Sequence, residues 1–247
     1  MMKKLLPLAF LFFLTGCAEL RQIAEQMESP GPLSNQEVIN GLKQALTIGA
    51  DSAATQLSSV NGYYRDELVR IVLPPEAQVI TDNLSLLPGG EKMVEDIILR
   101  INRAAEDAAR EAAPVFARAV TGMTIHDGFA ILRGEKDAAT QYLRSRTWNE
   151  LYNLYQPRIQ SSIDKPIVGN ISTGESWNTL TGQWNRLANS TVGRLSDLEP
   201  VDTQLDRYLT ERALDGLFLK LAQEEEKIRT NPAARVTELL KRVFGNS

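Results

Sequence analysis

Cysteine, histidine and aromatic residues are scarce in this chain of 247 residues, which has one Cys, one His and 6% aromatics. A single cysteine cannot form a disulfide within the chain, and one cysteine with one histidine is too few for a structural zinc site. We therefore expect neither a disulfide framework nor a metal or other cofactor.

An excess of basic residues is also missing, because 27 Lys+Arg face 31 Asp+Glu for a formal net charge of −4. Proteins that bind nucleic acids concentrate Lys and Arg to neutralise phosphates, so we expect no nucleic-acid partner. Hydrophobic residues make up 43% of the chain, which is near the globular average and argues against wholesale disorder. The length is ample for one or two domains with a real core.

A hydrophobic run long enough to span a membrane is missing from the N-terminus. Leu5–Leu14 is apolar and follows Lys3 and Lys4. As a helix it would rise about 15 Å, which is half of a hydrocarbon core of about 30 Å. A basic start followed by an apolar run of this length is typical of a secretory signal peptide.

The run ends in a sequence that resembles the bacterial lipobox: Leu14, the small residues Thr15 and Gly16, and then Cys17. Small residues let the backbone pass the signal peptidase, and the cysteine thiol accepts a diacylglyceryl group. We predict a lipoprotein signal peptide over residues 1–16 and a mature chain acylated at Cys17, for example by palmitate. A plain signal peptide with a chance cysteine, or an uncleaved anchor, is the alternative.

The residues after the cysteine predict where the anchor lies. Asp after the acylated cysteine retains a lipoprotein in the inner membrane, so Ala18 points to the periplasmic face of the outer membrane of a Gram-negative cell. Loss of Lys3 and Lys4 leaves 25 basic against 31 acidic residues, a net charge of −6. An acidic body repels anionic lipid, so the membrane contact is expected through the lipid. Residues 17–33 are polar and predict a tether of about 20–25 Å.

From residue 34 onward the hydrophobic residues recur with the 3.6-residue period of a helix, and no strand alternation of useful length occurs. Val69–Leu73 is a short β-branched run closed by two prolines, which favours an extended segment. Residues 164–174 predict a loop. We therefore predict one all-α, bundle-like domain over residues 34–247.

Local signals refine the helix boundaries. Thr124 and Asp127 predict the cap of a short helix that ends at Arg133. Pro114 predicts a kink or a restart in the helix that begins near residue 91, and Pro157 predicts an interruption of the long helix over 137–163.

Several short segments recur in one family, in the same order as in this chain. They are Val69–Pro74, Asn102–Glu106, Ala138–Tyr142, Ala213–Phe218, Glu224–Glu225 with Ile228–Arg229, and Val243–Gly245. On these segments the chain resembles the bacterial family of exported proteins called domain of unknown function 4197, over roughly residues 34–245. The resemblance implies a helical periplasmic domain and brings no activity with it, because the family is uncharacterised.

Catalytic motifs are incomplete. Ser162 and Lys165 match the S-x-x-K element of serine acyltransferases, but its companion elements are absent. His126 has the pKa range of a general base, yet no motif places a nucleophile beside it. A di-iron bundle needs two Glu-x-x-His pairs, and this chain has one histidine. We expect no enzyme, with an envelope hydrolase using Ser162 and Lys165 or His126 as the alternative.

A polar cluster follows the apolar start of the helix near residue 91. Asn102, Arg103 and Glu106 lie within about one turn, so Asn102 and Glu106 share a face. One interpretation is a contact for a polar ligand or partner. The other is a hydrogen-bond network between helices, closed by Arg229 or Arg235.

Two of the three tryptophans share a stripe with leucines: Trp177, Leu180, Trp184 and Leu187. The stripe predicts either a helix at the membrane interface or a helix packed on the core, and the scarcity of Lys and Arg nearby favours the core.

The expected function is therefore a non-enzymatic, lipid-anchored module that binds a protein partner or an apolar ligand at the outer membrane. The alternatives are the hydrolase described above and a purely structural envelope protein. The sequence gives no oligomeric state.

Overall fold

The computed structural model describes residues 32–82, 90–168, 171–195, 198–201 and 204–245. All the described elements lie in one compact unit, Asn35–Ser247. The predicted signal peptide, Cys17 and most of the tether lie outside the described residues. The elements are α1 (Asn35–Ser58), α2 (Gln78–Thr81), α3 (Gly90–Ala109), α4 (Ala112–Thr121), α5 (Ile125–Arg133), α6 (Ala138–Ile163), β1 (Pro166–Val168), β2 (Ile171–Ser172), α7 (Thr173–Ala188), α8 (Thr191–Leu195), α9 (Leu205–Thr230) and α10 (Glu238–Phe244), with 3-10 turns at Pro75–Ala77 and Pro232–Ala234.

The long helices α1, α3, α6 and α9 pack on one another and form the bundle, with α4 against α1 and α6. Helices α5 and α10 pack against α1. The face that α3 buries ends in small residues, which let a neighbouring helix approach closely. These buried alanines are Ala104, Ala105, Ala108 and Ala109. The all-α, bundle-like fold predicted from the periodicity is confirmed.

Helices α1 and α9 run antiparallel. The side chain of Gln56, near the end of α1, donates to Glu224 at 2.9 Å, and Gly49 lies against Glu224 and Ile228 further along α9. In the other direction, Gly216 on α9 lies against Tyr63, which follows α1. The segment 59–73 is therefore placed beside the first half of α9.

Two of the three predictions about helix boundaries, those at Thr124 and Pro114, are confirmed. Helix α5 begins after Thr124, whose side chain and backbone form a capping box with Asp127, and it ends before Gly134. Pro114 lies in the first turn of α4, where a missing N–H costs nothing, so the helix restarts there. The predicted interruption at Pro157 is wrong. Helix α6 continues through it, because the helix packs against α3 and α9 and buries side chains both before and after the proline.

The region predicted as a loop contains the hairpin β1–β2, which pairs antiparallel. On α7, Trp177 is buried in the core, and Trp184 packs against the core while its indole N–H donates to the carbonyl of Glu199 at 2.9 Å. Both tryptophans thus lie as the core-packing interpretation expects. No helix in the described ranges is long and apolar enough to cross a membrane.

Candidate binding groove

The buried amide of Asn102, on α3, holds the segment that follows α1. Its Oδ1 accepts from the N–H of Ile71 at 2.9 Å, and its Nδ2 donates to the carbonyl of Ile71 at 2.8 Å and to that of Ile98 at 2.7 Å. One side chain thus pairs with both backbone groups of Ile71, as a neighbouring strand would. Ile71 is thereby fixed in an extended conformation against α3.

Glu106, one turn further along α3, holds the start of the same segment. Its Oε1 accepts from the backbone N–H groups of Tyr63 and Tyr64, both at 3.3 Å, and its Oε2 accepts from Arg103. Arg103 also donates to the side chain of Asn61 at 2.8 Å, where the backbone has a φ of 70°. The three residues of the predicted cluster therefore all hold the connection after α1, Asn102 at Ile71 and the Arg103–Glu106 pair at residues 61–64.

Arg229 and Arg235 belong to a second network, so the prediction that one of them closes the Asn102 cluster is wrong. Arg229 binds Glu225 at 2.7 Å and the carbonyl of Ile131, and Arg235 donates to the carbonyls of Ile228 and Arg229. No hydrogen bond joins the two networks within the described ranges. The antiparallel course of α9 carries these residues toward the opposite end of α1 from segment 59–73.

A small cavity adjoins this second network, between α1, α6, α9 and α10. Its volume is about 20 Å³, which is room for about one water molecule. Pockets that bury a small organic ligand measure about 300–1,000 Å³. This cavity is therefore far too small for an acyl chain.

The outer face of the segment after α1 forms one wall of an open groove, and side chains alternate along it as in a strand. Val69, Ile71 and Leu73 are buried, whereas Val72 is 51% exposed and Leu68, just before the alternation, is 64% exposed. The period of two is that of an extended chain with one buried face.

The opposite wall is the first half of α9, and the space between the walls is about 260 Å³. The α9 residues that line it are Tyr208, Arg212, Asp215, Gly216 and Leu219. Gly216 permits the close approach of the two walls, because a Cβ there would lie 3.0 Å from the ring of Tyr63 and 3.2 Å from the Cβ of Val69. We call this space, lined by residues 68–72 and by those α9 residues, the binding groove.

In the extended segment the backbone groups of Ile71 are paired and, among the described residues, those of Val72 are free. The free edge is limited to Val72, because the Arg70 N–H donates to the Asp66 carbonyl at 2.7 Å and Pro74 has no N–H. Successive residues of an extended chain direct their N–H and C=O groups to opposite sides. Because the groups of Ile71 meet Asn102, those of Val72 point away from α3. Within the described part of the chain, neither the N–H nor the C=O of Val72 has a hydrogen-bond partner.

Charged side chains at the groove form ion pairs with their neighbours. The carboxylate of Asp215 lies between Arg144 at 2.7 Å and Arg212 at 2.8 Å, and Arg70 binds Glu95 at 3.2 Å. Of the charged residues that line the groove, two are basic, Arg70 and Arg212, and one is acidic, Asp215, although the chain as a whole is acidic.

Tyr64 lies beside the Arg70–Glu95 pair. The guanidinium of Arg70 stands 4.9 Å from the centre of the Tyr64 ring, and the Tyr64 hydroxyl donates to Glu95. This hydrogen bond to a carboxylate raises the pKa of Tyr64 above its ordinary value.

The structure does not assemble the residues of the hydrolase alternative. His126 is exposed in the first turn of α5. Ser162 is half-buried at the end of α6 and Lys165 is exposed beyond it, and their only shared hydrogen bond, at 3.3 Å, joins the Lys165 backbone N–H to the Ser162 carbonyl. In the part of the chain that the structure describes, no group of three His, Cys, Asp or Glu residues is placed to hold a metal ion.

The sequence patterns indicated the polar cluster behind the groove and the extended run that forms one wall, but not the groove itself or its α9 wall. The run Val69–Leu73 was the available signal, since a β-branched stretch between helices marks an exposed extended segment. Nothing local showed that Arg212 and Leu219 on α9 would face this segment.

Comparison with known proteins gives one match. A family model described as "Protein of unknown function (DUF4197)" matches residues 32–245. The match spans every helix from α1 to α10 and both walls of the binding groove. No curated protein and no solved structure matches the chain.

Proposed function

Since the chain belongs to the DUF4197 family, which is described only as of unknown function, we propose its function from its own surface: it is a non-enzymatic module that binds a protein partner in the binding groove. The observation that carries the proposal is the segment 68–72, a turn that leads into an extended stretch, which is hydrogen-bonded to Asn102 from behind and presents aliphatic side chains opposite α9. Leu68, Val72 and Leu219 are 64%, 51% and 40% exposed. Exposed aliphatic residues gathered in one groove are typical of a protein interaction site.

The groove supports a protein partner better than an apolar ligand. The cavity inside the bundle is too small for an acyl chain, and the groove is open and mixes aliphatic with ionic side chains. Such a mixture matches the apolar centre and polar rim of a protein interface. The hydrolase alternative uses either Ser162 with Lys165 or His126; the hydrogen bond between Ser162 and Lys165 joins their backbones, and His126 is exposed.

The proposal includes the lipid anchor at Cys17 and a place at the periplasmic face of the outer membrane. Within the folded unit, Asn35 and Ser58 lie at opposite ends of α1, which rises about 36 Å over its 24 residues. The groove lies beyond Ser58, so a partner reaches it at the end of α1 remote from the residue that follows the tether.

The test is site-specific photo-crosslinking in intact cells that make the lipidated protein. A photoreactive residue replaces Leu219 in the groove or, as the matched control, Leu195 on α8, which is 81% exposed. We expect one adduct of defined mass from position 219 and none from position 195, and a Val72→Asp change should remove the adduct. Absence of an adduct at 219, or equal adducts at both positions, contradicts the proposal.

The same cells test the hydrolase alternative. Ser162→Ala and His126→Ala should leave the adduct from position 219 and any cellular phenotype of the protein unchanged. A phenotype lost in either variant, with the adduct intact, would favour the hydrolase.

A further inference from the structure

We propose that the partner enters the binding groove as an extended polypeptide segment and adds a strand to the free edge at Val72. This inference rests on the proposed function and names the chemistry of the partner. The segment we infer is apolar at alternate positions and carries an acidic residue.

The backbone of Val72 is free to pair with another chain. The N–H and C=O of Val72 have no partner among the described residues, whereas those of Ile71 are paired with Asn102. An extended edge with free donors and acceptors is a template for another strand. A polypeptide supplies an alternating C=O and N–H at the matching spacing.

The backbone beside Val72 is already ordered. Glu106 holds the backbone at Tyr64, Asn102 holds it at Ile71, and the side chains of Val69, Ile71 and Leu73 are buried. Binding is weakened by the entropy lost when a surface must first become ordered. A segment held in this way loses little further conformational entropy when a strand is added.

The walls of the groove carry aliphatic and basic side chains that complement an apolar strand with an acidic residue. Alternate side chains of an added strand would meet Leu68 and Val72 on one side and Leu219 on α9. Arg212 keeps 53% of its side chain exposed while bound to Asp215, and the groove carries one guanidinium more than carboxylates. This charge is complementary to an acidic residue in the partner, whereas the acidic chain as a whole repels an anionic membrane.

The experiment uses the lipidated full chain in nanodiscs and a defined probe. The probe is a library of capped octapeptides that alternate Val, Ile or Leu with Thr or Ser and carry one Glu. The control library has the same side chains with every backbone amide N-methylated, which removes its hydrogen-bond donors. We expect the first library to be retained and to slow hydrogen exchange in the protein segment that contains residues 68–73, and the second to do neither.

Two variants separate the backbone from the side chain. Val72→Pro removes the free N–H and suits the extended residue before it, and it should weaken retention roughly five- to tenfold. Val72→Thr keeps the N–H and nearly the same shape, and its retention should stay within about threefold of the original. Unchanged hydrogen exchange outside residues 68–73 checks that the Val72→Pro protein is folded. If it is not, the two libraries on the unaltered protein decide.

The outcomes distinguish this inference from the function on which it rests. An adduct at position 219 together with equal retention of both libraries overturns strand addition and leaves the protein-binding function standing. Absence of both the adduct and the retention overturns both. Binding of phosphatidylethanolamine–phosphatidylglycerol vesicles through the groove, or dimerisation lost in Val72→Asp, also overturns the inference, because the occupant is then a membrane or a second copy.

Discussion

The amide of Asn102 is the single residue on which the shape of the binding groove most depends. It is fully buried and makes three hydrogen bonds to backbone groups of Ile71 and Ile98. Carboxamides suit this position because one group both donates and accepts. Without this carboxamide, the backbone N–H and C=O of Ile71 would have no partner on α3.

Asn102→Ala should lower the free energy of unfolding by about 2–4 kcal/mol, because it leaves the backbone groups of Ile71 without partners and opens a small cavity. Chemical denaturation measures the change. Asn153→Ala, at an exposed position of α6, should change it by less than about 0.5 kcal/mol. Equal effects of the two changes would refute the role given to Asn102.

The capping box of α5 predicts a pH dependence. The carboxylate of Asp127 accepts from the backbone N–H of Thr124 at 3.0 Å and from its hydroxyl at 2.8 Å. These bonds, the backbone one first, hold the pKa of Asp127 below its ordinary value. A carboxyl whose pKa is lower in the folded state stabilises the fold above about pH 4 and loses that contribution as the pH falls through the folded-state pKa.

Asp127→Asn keeps an acceptor oxygen but cannot ionise, so it isolates this contribution. The unaltered protein should be more stable than the variant at neutral pH, and the difference should shrink as the pH falls below about 4. Urea unfolding at a series of pH values measures it. A difference that stays constant across the series contradicts the prediction.

At the scale of elements, helix α6 takes its N-terminal cap from another helix. Asp137 precedes α6 but makes no capping hydrogen bond with its side chain. Instead Glu225, on α9, accepts from the N–H groups of Ala139 at 3.1 Å and Thr140 at 2.8 Å, and it also binds Arg229. A carboxylate at this position interacts favourably with the positive end of the helix dipole. Of the consecutive glutamates 224–226 on α9, Glu225 is therefore buried in a structural role, whereas Glu226 is exposed.

Glu225→Gln should lower the free energy of unfolding by about 2–3 kcal/mol, because an amide replaces one acceptor with a donor and leaves Arg229 without its counter-charge. Glu226→Gln changes the adjacent exposed residue in the same way and should be nearly neutral. Thermal unfolding of the two variants separates the loss of the helix cap from the general effect of removing a negative charge. Equal melting temperatures would argue against the cap.

At the scale of the whole molecule, the chain combines an acidic body with the proposed lipid anchor. The formal net charge of −4 becomes −6 once residues 1–16 are removed. Such a body gains nothing from an anionic surface, so attachment would depend on the acyl chains alone.

Cys17→Ala should abolish incorporation of labelled palmitate and release the protein from the membrane fraction, since the thiol is the acceptor of the lipid. Labelling followed by membrane fractionation measures both effects. Ala18→Asp is the matched control, because it keeps the cysteine and should keep the label while it moves the protein to the inner membrane. Label retained after Cys17→Ala would exclude this anchor.

Local sequence patterns predicted the structural features that depend only on residues close together in the chain. The cap at Thr124 and the restart at Pro114 follow from hydrogen bonds within one turn, so the sequence alone predicts them. The error at Pro157 has the opposite cause. Packing of α6 against α3 and α9 outweighs the loss of one backbone hydrogen bond, and local sequence does not report such packing.

In the candidate site, too, contacts between residues close in the chain could be predicted and those between distant residues could not. Asn102, Arg103 and Glu106 could be recognised as one cluster because three or four residues separate neighbours on a helix face. Their partners could not, since Ile71 and Asn61 lie about 30 to 40 residues away along the chain. The assignment of Arg229 and Arg235 to this cluster failed for the same reason.

By itself, the sequence determined the all-α class, the bounds of α5, the restart at Pro114 and the family, because hydrophobic periodicity, capping and short motifs are properties of adjacent residues. The tertiary structure decided which helices meet, that Glu225 caps α6, and that segment 68–72 faces α9 across a groove. Those contacts join residues far apart in the chain, and they form where the burial of many apolar side chains outweighs the entropy of bringing the elements together.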